Sequence, residues 1–440
     1  MRALGGLLAF LCSTLAAGAT PPKLLWGKAY HVLPETHSDE SGYFSLCEGK
    51  NGRIYIGTAK YGQNAFLVEF DPETEKQRVV IDTHKLCGLT ATGYAAQAKI
   101  HTRNFVGPSG RIYVGSKQGY RRGPDDTADY PGGYVMAYDP AADQAECLGM
   151  PCRGQGVIDV AADEGRGLLY VVTCEDQHWM LGDLKGKSYR ELGPLLAPYA
   201  TTLLDAKGRA NAITRDFQLA QHDPATDKVG VRDIVVSGQR LTADDLKLGP
   251  ICWDLAADGR TAYLIRMSEP SLFAMDLASE GPTIVATNLG RMIEGKGFDS
   301  RGSLRVAPDG RVYAAIRVDN VTGFGAGYLH HVVRYSPRKA GDIVGGVSPR
   351  RDPRDVDVPP TRKPGEMEDL GVLAVKNPDF FDFGPGPDGK PKPWTHGFHR
   401  LPDGTLTPLH CHMALLVARD GTLYVTSIYP FTLLRIPRVP

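Results

Sequence analysis

The residues in this sequence best suited to chemistry are cationic or aromatic and follow short apolar segments. Arginine can bind a carboxylate or sulfate through two parallel hydrogen bonds, so several arginines converging on one place would favour an anionic ligand. Each arginine could instead pair with a nearby acid, as Arg317 could with Asp319. The candidate ligand-binding residues are Lys99, Lys117, Tyr120, Arg121, His178, Arg266 and Arg317.

A second group of residues could transfer a proton. Tyr199 is followed sixteen residues later by Arg215. A tyrosine hydroxyl has a pKa near 10 and becomes a useful base only where neighbouring cations stabilise the phenolate. His101 has the same parity as Lys99 in an apolar segment, so both side chains would lie on one face of a strand. Tyr199 and His101 could equally be packing residues of the core.

Histidines are dense near the C-terminal end of the chain. His410 and His412 would lie on one face of a strand, and His399 could reach them across a short hairpin at Gly404. Three imidazoles suit a zinc-like ion. We therefore predict one structural metal ion bound by His399, His410 and His412, with ordinary histidine packing as the alternative.

A repeated turn indicates the elements that would position these residues. A glycine followed by a short apolar segment, usually containing tyrosine, recurs at 51–55, 109–113, 167–170, 207–209, 258–263, 309–313 and 420–424. Glycine permits the positive φ of a tight hairpin, and β-branched and aromatic residues suit the strand after it. The glycines are mostly 41 to 58 residues apart, a spacing typical of the four-stranded units of a β-propeller.

We therefore expect an all-β fold, a seven-bladed β-propeller whose ring is closed by an N-terminal strand near residues 28–33. Two separate β-sandwiches would explain the even spacing less well. Residues 338–409, rich in proline, glycine and charge, are predicted to be an insertion. The inner strands are expected near 43–48, 97–106, 155–161, 199–204, 251–256, 303–307 and 410–417.

The first 19 residues have the pattern of a secretory signal. Arg2 precedes an apolar run that ends in the small residues 17–19, and this run is too short to span a membrane. We expect the signal to be removed, leaving residues 20–440 as a single propeller domain, secreted to the periplasm or outside the cell, without a membrane span. In such a compartment Cys147 and Cys152 could close a small disulfide loop.

Composition narrows the possible partners. Fifty basic residues balance fifty acidic ones, and 42% of the residues are hydrophobic, which supports a sizeable folded core. A neutral chain has no overall field that would attract nucleic acid, so we expect no nucleic-acid partner. The sequence contains no phosphate-binding loop, dinucleotide fingerprint or Ser-His-Asp order, so no organic cofactor is expected.

Three stretches of the chain, 41–57, 97–104 and 117–120, resemble the seven-bladed propeller polysaccharide lyases, which include ulvan lyases cutting at rhamnosyl-glucuronate linkages. The resemblance is clearest over residues 41–240. In these lyases a tyrosine acts as base and acid while histidine and arginine neutralise the uronate, which implies that Tyr199, His101 and Arg215 are catalytic. About twenty residues beyond His101, where the family pattern has a second histidine, this chain has Tyr120 and Arg121.

The resemblance implies a secreted lyase that cleaves an acidic polysaccharide or oligosaccharide by β-elimination. This reaction removes the C5 proton of a uronic acid and expels the C4 oxygen, so the carboxylate must be neutralised as negative charge develops. A non-catalytic carbohydrate-binding propeller is one alternative. A metal-dependent hydrolase or lactonase is another, but the predicted inner strands offer few carboxylates beyond Glu48, Asp159 and Asp254.

Overall fold

The regular secondary structure of the described residues is almost entirely β-strand. The computed structural model describes residues 20–38, 44–121, 123–242, 252–265, 270–296, 303–325, 327–337, 365–377, 397–409 and 414–439. Within them lie thirty-two strands, the five-residue helix α1 (Thr83–Cys87) and two 3-10 turns (Pro34–Thr36 and Gly93–Ala95). No helix in these ranges is long and apolar enough to cross a membrane. The prediction of an all-β fold is confirmed.

Three separate antiparallel sheets follow the first strand, β1 (Leu24–His31), which belongs to a later sheet. The first sheet contains β2 (Leu46–Glu48), β3 (Ile54–Gly57), β4 (Phe66–Phe70) and β5 (Gln77–Asp82). The second contains β6 (Lys99–Ile100), β7 (Phe105–Val106), β8 (Ile112–Lys117), β9 (Val135–Asp139) and β10 (Gln144–Gly149). The third contains β11 (Gly156–Asp163), β12 (Leu168–Cys174), β13 (Trp179–Asp183) and β14 (Tyr189–Glu191).

The fourth sheet consists of two four-stranded antiparallel runs. The first run is β15 (Leu203–Leu204), β16 (Ala210–Ile213), β17 (Gln218–Asp223) and β18 (Lys228–Val236), with β19 (Gln239–Arg240) paired to β18. The second run is β20 (Cys252–Leu255), β21 (Thr261–Ile265), β22 (Ser271–Asp276) and β23 (Thr283–Arg291). The outer strands β18 and β23 pair in parallel and join the two runs.

The fifth sheet joins both ends of the chain. One run is β24 (Arg305–Val306), β25 (Val312–Asp319), β26 (Tyr328–Ser336) and β27 (Glu366–Val375), to which the hairpin β28 (Phe398–Arg400) and β29 (Leu406–Pro408) is attached. The other run is β30 (Leu415–Val417), β31 (Leu423–Ser427) and β32 (Thr432–Ile436). Strand β1 pairs antiparallel with β32 and parallel with β27. The segment predicted as an insertion thus contains β27, an integral strand of this sheet.

The repeated four-stranded antiparallel run is the building unit of a β-propeller. The first strands of the runs lie within or overlap the ranges expected for inner strands. The turns behave as the sequence predicts, since Gly52 and Gly310 have φ of +77° and +82°. The tyrosines that follow such turns are core residues: Tyr55 and Tyr170 are fully buried, and Tyr55 donates its hydroxyl hydrogen to Glu69 at 2.7 Å.

The cysteine arrangement differs from the expected loop. The Cys147 Sγ atom lies 2.7 Å from the Cys87 Sγ atom, at the end of α1, rather than beside Cys152. Cys147 is on the outer strand β10, which packs against α1, whereas Cys152 lies in the connection that follows. The structure therefore does not bring Cys147 and Cys152 together, and the cysteine close to Cys147 is Cys87, the last residue of α1.

Candidate functional site

The starts of the inner strands meet the ends of the neighbouring second strands at one end of the sheets. Lys99 is paired with Lys117, at the end of β8, and Gly156 is paired with Cys174, at the end of β12. Tyr199 lies in the segment leading into β15. We call this group the mouth cluster, and it comprises Phe44, Tyr61, Lys99, His101, Lys117, Tyr120, Cys174 and Tyr199.

Tyr199 is the exposed member of an aromatic group. Its ring centroid lies 5.7 Å from that of Phe44 and 6.2 Å from that of His101, and the Phe44 and His101 rings meet edge to face at 5.0 Å. Tyr199 is 43% exposed whereas His101 is 3% exposed. The hydroxyl-bearing ring therefore faces solvent over a buried imidazole.

The backbone of Tyr199 adopts an unusual conformation. Its φ is +58°, in the left-handed region that bulky residues rarely occupy. Such a conformation costs on the order of 1–3 kcal/mol and persists where the surrounding structure holds it in place. Nearby hydrogen bonds restrain this segment, since the Ala200 amide donates to Ala197 O and the Ala197 amide donates to Ile213 O. The backbone that carries the Tyr199 ring is thus restrained.

Lys117 supplies a buried positive charge at the end of β8. Its Nζ lies 2.8 Å from Cys174 Sγ and 3.8 Å from Glu175 Oε1, and its side chain is 11% exposed. Burial alone would lower the pKa of the Lys117 ammonium, but Cys174 and Glu175 outweigh burial and raise that pKa. The charge of Tyr199 adds to the same upward shift of the Lys117 pKa, so the two side chains interact electrostatically. Lys117 therefore stays protonated.

Lys99 is held against two tyrosine rings. Its Nζ lies 4.6 Å from the ring centroid of Tyr61 and 4.2 Å from that of Tyr120, which are stacked 5.4 Å apart. Such cation–π contacts hold a cation without cancelling its charge. Tyr120 is 60% exposed and offers its ring to solvent beside this cation. The pairing suits a ligand that carries both an apolar face and a negative charge.

Arg215 reaches the mouth cluster indirectly. Its Nη2 donates to the Asp176 carbonyl oxygen at 3.0 Å, within the loop that follows Cys174. The guanidinium is exposed. Lys117 interacts electrostatically with Tyr199, a role that sequence reasoning gave to Arg215.

Three predicted ligand-binding residues have other partners. Arg121 donates to the carbonyl oxygens of Asp126 and Ala128 and lies 4.0 Å from the Tyr94 ring centroid. His178 Nδ1 lies 2.7 Å from Glu191 Oε1, on the outermost strand β14. These two side chains therefore stabilise loops and strand pairs. Arg317 lies over the Tyr328 ring at 4.3 Å, and Arg266 lies outside the described residues.

Only one of the three predicted metal ligands can be placed. His410 and His412 lie outside the described residues. His399 is half-buried on β28, and burial lowers the pKa of its imidazole, which favours the neutral form. In the described part of the chain, no group of three or more histidine, cysteine or acidic side chains could hold a metal ion. The zinc-like site stays a prediction.

Sequence reasoning missed Cys174 and Tyr61. Cys174 ends β12 at the place corresponding to Lys117 at the end of β8, so strand equivalence was the available signal. Tyr61 lies four residues beyond the end of β3, much as Tyr120 lies three residues beyond the end of β8. Both were passed over because neither residue type, taken alone, indicates a charged-ligand site.

A second group of charges is buried on the inner strands, and we call Arg103, Asp159, Asp254 and Arg305 the channel cluster. Arg103 forms an ion pair with Asp254 and donates to Trp253 O at 2.7 Å, across 150 residues of chain. Burial raises the pKa of Asp159 to about 7, although the Thr202 amide donates to its carboxylate at 2.7 Å. Both carboxylates are thus engaged by protein groups.

The comparisons with known proteins identify only distant structural likenesses. No family model and no curated protein matches the sequence. The chain is similar to the periplasmic gluconolactonase PpgL of Pseudomonas aeruginosa, at 12% identity and a TM-score of 0.45, covering 88% of this chain and 99% of that chain. It is also similar to the Dos1 propeller, at 10% identity and a TM-score of 0.46, covering 89% of this chain and 77% of that chain. A third similar structure is hydrazine synthase of Kuenenia stuttgartiensis, at 12% identity and a TM-score of 0.42, covering 76% of this chain and 86% of that chain.

Proposed function

We propose that the mouth cluster binds an acidic saccharide and cleaves it by β-elimination, with the Tyr199 hydroxyl transferring the proton. The observation that carries this proposal is the placement of Tyr199, exposed to solvent and in a left-handed backbone conformation, where it interacts electrostatically with a buried, protonated Lys117. A phenol next to a desolvated ammonium is the arrangement in which a tyrosine can act as a base.

The reaction assigns a separate task to each group. Tyr199, as phenolate, would take the C5 proton of a uronic acid while Lys117 neutralises the developing charge on its carboxylate. The C4–O bond then breaks, a C4–C5 double bond forms, and Tyr199 returns its proton to the leaving oxygen. His101, beneath the Tyr199 ring, and Arg215, on the adjoining loop, would complete the neutralisation.

Binding is the task proposed for the other side of the cluster. The exposed Tyr120 ring would lie along the apolar face of a sugar, and Lys99 would attract its carboxylate or sulfate. This half of the site is equally suited to a non-catalytic carbohydrate-binding protein. Binding of uronate glycans without cleavage by the wild-type protein would therefore support that second candidate.

We also infer a seven-bladed ring, secretion and a metal ion. The described sheets contain seven four-stranded runs when β1 is taken as the fourth strand of the β30–β32 run, which supports closure by the N-terminal strand. The proposed signal, residues 1–19, would be tested by N-terminal sequencing of exported protein. The proposed zinc-like ion at His399, His410 and His412 would be tested by metal analysis of the wild type and His399→Ala.

The experiment that tests the activity is incubation with a panel of uronic-acid glycans. Cleavage by elimination creates a conjugated double bond that absorbs ultraviolet light, so product formation can be followed directly. Tyr199→Phe should abolish most of this absorbance change. Tyr189→Phe, on the outermost strand β14, is the matched control and should retain it. Equal loss in both variants, or equal activity in both, would contradict the role of Tyr199.

A further inference from the structure

A cavity of about 280 Å³ lies at the end of the inner strands opposite the mouth cluster. Glu48 ends β2, Lys50 lies in the turn after it, and Arg419 lies in the turn after β30. Arg103 and Arg305, from the channel cluster, form its inner wall. Four cationic residues and one acidic residue therefore line this space.

The lining charges are not fully compensated. Arg419 Nε lies 3.1 Å from Glu48 Oε1, and Arg103 is paired with Asp254. Lys50 donates to the Pro108 carbonyl oxygen. The one lining carboxylate, Glu48, is therefore paired with Arg419, and the Lys50 ammonium donates to a neutral carbonyl oxygen.

Arg305 is a buried cation without a direct ion pair among the described residues. It is 8% exposed, and its Nη1 donates to the Leu304 carbonyl oxygen at 3.0 Å. In the part of the chain that the structure describes, no carboxylate oxygen lies within 4.0 Å of its guanidinium. Burial, with repulsion from Arg103, lowers the pKa of Arg305 to about 10 although the charge of Asp254 opposes this shift, so Arg305 remains charged at neutral pH. A buried charge without a counterion is costly unless a partner is supplied.

We propose that this cavity binds a small oxyanion of the sulfate or carboxylate class, with Arg305 and Lys50 as its main cationic contacts. The volume equals that of roughly nine liquid water molecules, which accommodates such an anion with part of its hydration. A guanidinium binds sulfate or carboxylate through paired hydrogen bonds. The site is separate from the mouth cluster and does not depend on the proposed lyase activity.

Thermal melting in sodium sulfate, compared with sodium chloride at equal ionic strength, tests the proposal. An anion that binds only the folded protein raises its melting temperature in a saturable way. We expect sulfate to raise the wild-type melting temperature by a few degrees more than chloride does. Arg305→Met should lose this sulfate-specific rise, and it should melt higher than the wild type when anion is absent, because it removes an uncompensated buried charge.

Lys117→Met is the matched control, because it removes a buried cation from the mouth cluster. It should keep the sulfate-specific rise of the wild type. Loss of the rise in Lys117→Met and retention in Arg305→Met would place sulfate at the mouth and overturn the proposal. If Arg305→Met does not fold, sulfate binding to Lys50→Met is measured instead by calorimetric titration. We expect this variant to bind sulfate about tenfold more weakly than the wild type does. Equal binding would overturn the proposal. Absence of any sulfate-specific effect on the wild type also overturns it.

Discussion

The mouth cluster and the channel cluster both bury cations, but they partner them in different ways. At the mouth, Lys99 lies against two tyrosine rings, and the Lys117 Nζ lies 2.8 Å from the Cys174 thiol and 3.8 Å from a Glu175 carboxylate oxygen. In the channel, Arg103 forms an ion pair with Asp254. Rings and sulfur hold a cation without cancelling its charge, whereas a carboxylate neutralises it and ties two strands together. The comparison thus contrasts two lysines that contact rings or a thiol with an arginine whose ion pair joins two distant strands.

The largest expected effect is on catalysis at the mouth. Tyr199→Phe removes only the hydroxyl, so the rate of uronate cleavage should fall by about 10²–10⁴-fold if that hydroxyl transfers the proton. The free energy of unfolding should change by less than about 1 kcal/mol, because the ring and its contacts with Phe44 and His101 remain. Parallel rate and denaturation measurements check both halves. A large loss of stability would instead indicate that Tyr199 is a packing residue.

In the channel cluster, we expect a substitution of Arg103 to lower the free energy of unfolding. Arg103→Met removes the ion-pair partner of Asp254 and one hydrogen bond to Trp253 O. Breaking a buried ion pair on one side typically costs about 3–5 kcal/mol, because the remaining charge is left without a partner. We expect a loss of this size in denaturant-induced unfolding. The double variant Arg103→Met/Asp254→Asn should recover part of it, and no recovery would mean that the pair is not the source of the loss.

The raised pKa of Asp159 predicts an unusual pH dependence of folding stability. Its folded-state pKa of about 7 lies above its unfolded value near 4, so the folded protein holds this proton where the unfolded chain has lost it. Its contribution to stability is therefore complete below about pH 4 and is lost as pH rises towards 7, amounting to at most about 4 kcal/mol. The positive charges of Arg103 and Arg305 favour the ionised form of Asp159, and the pKa of about 7 is the balance between these charges and burial.

Asp159→Asn should remove this pH dependence. The variant should gain stability relative to the wild type as pH rises from 5 to 8, measured by denaturant unfolding at each pH. Asp216→Asn, on the exposed surface, serves as the control and should follow the wild-type profile. A stability difference between Asp159→Asn and the wild type that stays constant over this range would contradict the raised pKa.

The fold and part of the mouth were predictable because both follow from local patterns. The glycine turns and the strands after them depend on neighbouring residues, and the parity of Lys99 and His101 within one segment follows from strand geometry. Lys117 was found because it ends a second strand. The ion pair between Arg103 and Asp254 was not predictable, since it depends on two strands 151 residues apart in sequence meeting in the channel.

Two further features depended on context that the sequence pattern hides. Strand β27 lies after a stretch rich in proline and charge, so its apolar residues Leu370 to Val375 were included in the predicted insertion. Likewise, the partners of Arg121 and His178 are a loop backbone and an outer-strand carboxylate. Residue type alone does not distinguish a cation that binds a ligand from one that stabilises a loop.

The smallest expected effect concerns the binding half of the mouth. Tyr120→Ala removes the exposed ring that is proposed to lie along the apolar face of the sugar, a contact worth about 0.5–1 kcal/mol, so KM for a uronate glycan should rise about two- to fivefold. The value of kcat should not change, because this contact is made equally in the ground state and the transition state. Tyr120→Phe keeps the ring over Lys99 and should behave like the wild type. A fall in kcat with unchanged KM in Tyr120→Ala would mean that Tyr120 and Lys99 act on the reacting centre. The division of the mouth cluster into a binding side and a catalytic side would then be wrong.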